Sequence, residues 1–271
     1  MNLTRTSVRL LTFNIQYAEP VPAKVQARGA GRDSALYLAG QIAAMGADVV
    51  GLQEVDRGKW RSGRVDQLNL IAGAAGLTPI FAQTRRRYGM GLLTGLPIRR
   101  ARVLRLPRRK TPFFRDEHGS GWRFKWPDKR ACLYALLDTD AGPIAVGVTH
   151  LSTVRPMARR QLHIALGGFD EFAPGVPALL IGDLNLRINH VEEELAVQDQ
   201  ADKPFAILHR GNGSPSWEPV IQIDHVLGRG FEAVRDDVVQ LPVSDHAAVV
   251  VEIRATGSAG SQSAEAANRY D

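Results

Sequence analysis

Eight polar residues placed after apolar runs carry the chemistry this sequence could do: Asn14, Glu54, His150, Asp183, Asn185, Asp224, Asp245 and His246. Glu54 is a hard oxygen ligand suited to Mg²⁺ or Mn²⁺, which take one or two carboxylates together with water and substrate phosphate. Asp183 could activate a water, with Asn14 and Asn185 fixing the attacking and phosphoryl oxygens. His150 and His246 could donate to a phosphoryl oxygen as charge builds on it, and an adjacent carboxylate would keep an imidazole protonated and aimed. One such residue at a strand end is usually a cap or a satisfied core group. A series of them, each directly after a hydrophobic run, points to loops gathered at one sheet edge, where sites are built.

The stretch Ala178-Leu179-Leu180-Ile181-Gly182-Asp183-Leu184-Asn185 organises the rest. Its apolar run reads as a buried strand, and the period of two puts Asp183 and Asn185 on one face with Leu184 turned away. Further strands are expected over 8–13, 47–52, 89–94, 98–106, 130–137, 144–149, 221–227, 234–241 and 247–253. Strands 89–94 and 98–106 flank a Gly-Leu-Pro turn. Strands 130–137 and 144–149 pair antiparallel across Asp140-Ala-Gly-Pro143. Helical spacing predicts helices from Ser34, as cap, to Met45, over 66–76 and over 155–172. Helices interrupting strands that look hairpin-connected predict a mixed α/β sandwich with helices outside.

Residues 18–33 read as a basic Pro/Gly-rich loop. Residues 107–129 break all periodicity, mixing basic residues with Phe113, Phe114, Trp122, Phe124 and Trp126. An insert of that length is a functional loop or a disordered one. Its aromatic residues could stack on bases, dip into lipid or clamp the insert to the body, and clamping is the preferred reading. Arg85-Arg86-Arg87 and Arg108-Arg109-Lys110 are either solvated loop charge or a rim attracting phosphate. His118, His163, His190 and His209 are read as structural. The expected organisation is one domain over 1–255 carrying the 107–129 insert, then a small, polar, disordered tail over 256–271.

With 44% hydrophobic residues among 271, the chain can bury a sizeable core. A formal net charge of +6 favours anionic partners without choosing between nucleic acid, phospholipid and small phosphate esters. The lone Cys132 excludes an intrachain disulfide and a cysteine metal site. No stretch has the roughly 18 apolar residues that span a membrane, and no signal-peptide pattern opens the chain. A cytoplasmic monomer without a transmembrane segment is therefore expected.

The ordered motifs Thr12-Phe13-Asn14, Leu52-Gln53-Glu54-Val55-Asp56, Tyr88-Gly89 with Leu92-Leu93-Thr94, Val148-Thr149-His150-Leu151, Ile181-Gly182-Asp183-Leu184-Asn185, Ile223-Asp224-His225 and Ser244-Asp245-His246 span nearly the whole chain. In that order they resemble the endonuclease/exonuclease/phosphatase superfamily. The resemblance implies a four-layer α/β sandwich with two packed, mostly antiparallel sheets. It also implies a metal-dependent hydrolase of phosphoester bonds using Mg²⁺ or Mn²⁺, acting as a phosphodiesterase or nuclease by in-line attack of water. Glu54 then corresponds to the metal-binding glutamate, Asn14 to its partner in the metal shell and Asp245 to a second metal-side carboxylate. His150 corresponds to a phosphate contact, Asp183 and Asn185 to the pair that orients water, His246 to the terminal catalytic histidine and Asp224 to the aspartate that pairs with a site histidine. Met90 replaces the Asn that many bacterial members carry after Tyr-Gly, and the 107–129 insert has no evident counterpart.

The alternatives are a phosphatase or phospholipid or small-molecule phosphodiesterase, and a binding module that kept the fold and lost the chemistry. The complete hydrolytic set favours the enzyme. Net charge favours nucleic acid as the phosphate-ester substrate.

Overall fold

A computed structural model describes residues 7–20, 31–110, 113–115, 122–124, 127–197 and 204–256. The expected disordered tail, apart from Thr256, and most of the 18–33 loop lie outside them, as does His118.

Two six-stranded sheets pack face to face. In chain order the first takes β1 (Ser7–Asn14), β2 (Val49–Asp56), β3 (Thr78–Arg85), β4 (Tyr88–Thr94), β13 (Phe231–Val239) and β14 (Ala248–Ala255). Its spatial order is β13-β14-β1-β2-β4-β3. The second takes β5 (Ile98–Arg105), β8 (Ala131–Thr139), β9 (Gly142–His150), β10 (Ala178–Asp183), β11 (Ala206–Ile207) and β12 (Asp224–Arg229). Its order is β11-β12-β10-β9-β8-β5. Each sheet holds one parallel pair, β1 with β2 and β9 with β10, among antiparallel neighbours.

Side-chain alternation builds the layers. Leu10, Val49, Leu92 and Val249 of the first sheet meet Leu133, Val146, Val148 and Ile181 of the second. The next residues along, Leu11, Phe13, Val50 and Leu52, face outward to Leu38 and Ile42 of α1 (Arg32–Ala44) and to Leu68 and Ile71 of α2 (Gln67–Ala75). Behind the second sheet, Tyr134, Ala145 and Leu180 pack on Leu162, Leu166 and Phe169 of α3 (Arg155–Phe172). Each such buried Leu, Ile or Phe stabilises the fold by roughly 1.5–3 kcal/mol. The result is the expected four layers. No described helix is long and apolar enough to cross a membrane.

Several expectations change. Strands β4 and β5 flank the Gly-Leu-Pro turn but enter different sheets, so the turn carries the chain between layers. Helix α1 begins at Arg32 behind Gly31, with no side-chain cap; Ser34 lies inside it. Strand β3 and helix α4 (Ile188–Val197) were not anticipated. The 107–129 insert is not devoid of structure, because β6 (Phe113–Arg115) and β7 (Trp122–Phe124) pair antiparallel within it. Phe113 and Phe124 meet edge to face with centroids 5.4 Å apart, and both stay more than half exposed, so neither is buried against the body.

Candidate active site

The carboxyl ends of both parallel pairs open at one edge of the sandwich. Strand β1 ends in Asn14 beside Gln53 of β2, and β10 ends in Asp183 beside His150 of β9 and Asp224 of β12. Parallel strands point the same way, so their terminal polar groups arrive together.

Glu54 reaches this edge through a bulge. The β2–β4 register shifts between Leu52 and Val55, and Glu54 has φ +58°. An extra residue re-aims the side chain that follows it. Gln53, by contrast, is fully buried and donates to Thr12 Oγ1 at 3.2 Å, so it is structural.

Asp183 is the meeting point. Its Oδ2 accepts from Asn14 Nδ2 at 3.0 Å and lies 3.3 Å from His150 Nε2 and 3.8 Å from His246 Nε2. Its Oδ1 accepts from the backbone N–H of Asn185 at 2.9 Å. Burial pushes the Asp183 carboxyl up from its ordinary range, opposed by the charge of His246. Asn185 shares the cleft for a reason other than the predicted strand alternation. β10 stops at Asp183, and Asn185 takes the left-handed conformation at φ +50°, its amide donating to Leu151 O at 3.1 Å.

His246 donates from Nδ1 to Asp224 Oδ2 at 2.6 Å. Burial alone would lower its pKa, but the carboxylates of Asp224, Asp183 and Asp245 together outweigh burial and the net shift is upward. The loop is held by Ser244, whose hydroxyl donates to Asn14 O at 2.6 Å and accepts from His246 N at 3.1 Å. Gln16 Oε1 accepts from Asp245 N at 3.1 Å. Asn14 Nδ2 also lies 3.5 Å from both Glu54 Oε1 and His246 Nε2.

Asn14, Glu54, His150, Asp183, Asn185, Asp245 and His246 thus line one cleft of about 290 Å³, and Asp224 supports it from beneath. The cleft adds residues to which sequence reasoning gave no site role: Gln16, Tyr88, Lys129, Arg130 and Thr153. Tyr88 lines the cleft with Glu54, and burial, then the Glu54 charge, raises its pKa. The Tyr-Gly pattern at 88–89 was the available signal for it. Arg85 also lines the cleft and pairs with Asp128, so part of the 85–87 cluster belongs to the rim. His209, paired with Asp236 at 2.8 Å, lies outside the cleft, as does His190 on α4.

Residues 11–246 match the Endonuclease/Exonuclease/phosphatase family. The chain belongs to this family. Known structures agree on the fold. An endonuclease/exonuclease/phosphatase from Beutenbergia cavernae is 22% identical with a TM-score of 0.64, covering 93% of this chain and 72% of its own. One from Bacteroides vulgatus is 16% identical with a TM-score of 0.68 over 93% of this chain and 100% of that one. Truncated Caenorhabditis elegans TDP2 is 15% identical with a TM-score of 0.64 over 94% and 100%. At these identities the likeness concerns fold alone. No curated protein sequence matches significantly.

As an endonuclease/exonuclease/phosphatase family member, the protein must be asked whether its residues suit a divalent cation. Among the described residues no three His, Cys, Asp or Glu side chains form a ready-made cage. A site for Mg²⁺ or Mn²⁺ needs only one or two carboxylates, with water and phosphate completing the shell. Glu54 and Asp245 supply hard oxygens in the same cleft.

Proposed function

We propose that the protein is a divalent-cation-dependent phosphodiesterase of nuclease type that cleaves by in-line attack of water. Family membership supports phosphoester hydrolysis in general. The observation that carries the finer reading is the convergence on Asp183 Oδ2 of Asn14, His150 and His246, each delivered by a different strand end or loop.

In this reading the buried Asp183 carboxylate accepts the proton of the attacking water. Asn14 and Asn185 orient the water and a phosphoryl oxygen. His150 and His246 donate to oxygens that gain charge in the transition state, and such donors cost no reorganisation because they are already placed. Asp224 holds the His246 ring and its Nδ1 proton. Glu54, Asp245 and Asn14 would hold the cation, which when bound neutralises charge on the phosphoryl group as a Lewis acid. The net charge of +6 supports a polyanionic substrate.

The test is a panel of phosphoesters (single- and double-stranded DNA, RNA, nucleotides, phosphoinositides, sphingomyelin) with Mg²⁺ and Mn²⁺. Hydrolysis of nucleic acid that falls roughly 10²-fold or more in Glu54→Ala and Asp183→Asn is the expected result. Full turnover in excess chelator would remove the cation. Hydrolysis confined to monoesters or lipids would replace the nuclease reading, and binding without hydrolysis of any ester would make the protein a binding module.

A further inference from the structure

The segment after β2 has a feature the reaction does not use. Trp60 is 79% exposed, the highest value among the exposed large hydrophobic side chains of the described residues. It does not hang on a slack loop. Gly58 N–H donates to Val65 O at 2.8 Å, Arg64 N–H to Lys59 O at 2.8 Å and Gly63 N–H to Trp60 O at 3.0 Å, closing the segment on itself. Arg61 anchors it from below, donating from Nε and Nη2 to the buried Asp56 carboxylate at 2.8 and 2.9 Å. An ordered segment therefore holds an indole out in water, against the usual gain from burying it.

One cation lies on that indole, and a second lies between it and the cleft wall in sequence. The Arg64 guanidinium lies 4.6 Å from the centre of the Trp60 ring and covers one face. Lys59 Nζ lies 4.9 Å from the centre of the Tyr88 ring, and Tyr88 lines the cleft beside Glu54. The segment is thus continuous with the cleft wall.

We propose that residues 58–65 form a stacking platform for single-stranded nucleic acid, with a nucleobase on the open face of Trp60 and neighbouring phosphates met by Lys59 and Arg64. The inference rests on the phosphodiesterase reading for the strand it would feed into the cleft. An aromatic ring flanked by cations matches a strand that alternates π-faces with negative charge. A membrane-inserting segment needs several apolar side chains on one face. Here Trp60 stands among Gly58, Lys59, Arg61, Ser62, Gly63 and Arg64, and the segment's other apolar side chain, Val65, is half-buried.

The test is equilibrium binding of a dT15 oligonucleotide to full-length protein silenced by Asp183→Asn, followed by tryptophan fluorescence over a salt series. Trp60→Ala should weaken binding roughly 5- to 100-fold and remove most of the quench, and Trp60→Phe should recover most of the affinity. Lys59→Ala and Arg64→Ala should each flatten the log–log salt slope by about 0.7. An abasic oligonucleotide of equal length should bind wild-type Trp60 no better than dT15 binds Trp60→Ala. The proposal is overturned if Trp60→Ala binds dT15 as tightly as its parent, if Trp60→Leu rescues as well as Trp60→Phe, or if the abasic strand binds like dT15. It is also overturned if Trp60→Ala loses only its binding to phosphatidylserine vesicles. Hydrolysis of bis(p-nitrophenyl) phosphate by the unmodified protein is measured separately. Hydrolysis with indifferent Trp60 variants defeats the platform alone; no hydrolysis of this or any other diester defeats the reading beneath it.

Discussion

Asp224 Oδ2 lies 2.6 Å from Nδ1 of His246, and both side chains are almost wholly buried. The contact fixes which ring nitrogen faces the carboxylate, so Nε2 is the one left toward Asp183 and the cleft. It also joins two distant parts of the chain, the start of β12 and the loop before β14.

Asp224→Asn should keep the shape of this contact while removing the charge that holds the imidazolium. Turnover is expected to fall roughly 10²- to 10⁴-fold, as when the carboxylate behind any catalytic histidine is neutralised. Steady-state kinetics beside a thermal melt would check this. A variant within a fewfold of wild type would strip Asp224 of its role.

His225, one residue on, gives a pH prediction for stability. Burial lowers its pKa to about 4 from an ordinary 6.5, partly offset by its hydrogen bond with Leu186 O at 2.8 Å. The folded ring is therefore neutral where the unfolded ring takes up a proton. Stability should be full above about pH 6.5 and fall as pH drops toward 4, by at most about 3 kcal/mol from this group. Urea midpoints at pH 7 and 4.5 would show it. His225→Asn, which cannot titrate, should lose less over the same interval, and an equal loss would exclude His225 as the cause.

Gly182 precedes Asp183 with φ +145°, and a Cβ there would sit 2.0 Å from Thr149 O on the neighbouring strand. Gly182→Ala should cost roughly 2–5 kcal/mol and displace Asp183 from its partners. Chemical denaturation and turnover should both fall. Wild-type stability in this variant would show that β9 and β10 can part without penalty.

Much of this architecture was legible in the sequence. Helix 155–172 is recovered with the predicted limits because its apolar stripe is continuous and Pro156 marks its start. Helix α4 has a single buried side chain, Val191, and an acidic run at 192–194, so it left no stripe to read. Strand β3 is a partly exposed edge strand with Pro79 near its start, and it shows no clean alternation. The turn before β5 announced a reversal but could not say which sheet would receive the next strand. In the site, apolar runs ending in polar residues were visible, whereas the left-handed turn at Asn185, the bulge at Glu54 and the support from Ser244 and Gln16 are products of tertiary contact. Trp60 was visible as a residue, but only its exposure gave it meaning.

The hydrogen bond from Asn14 to Asp183 crosses from one sheet to the other, so the opening of the cleft is tied to the spacing of the two sheets. Just behind the cleft, two residues before Gln53 and two before Asp183, Gly51 of β2 meets Ile181 of β10; a methyl group on Gly51 would come within 2.8 Å of Ile181 Cδ1. The thickness of the hydrocarbon layer is therefore a dimension of the proposed active site. A change confined to that layer can shift Asn14 against Asp183 while every polar residue at the rim is retained.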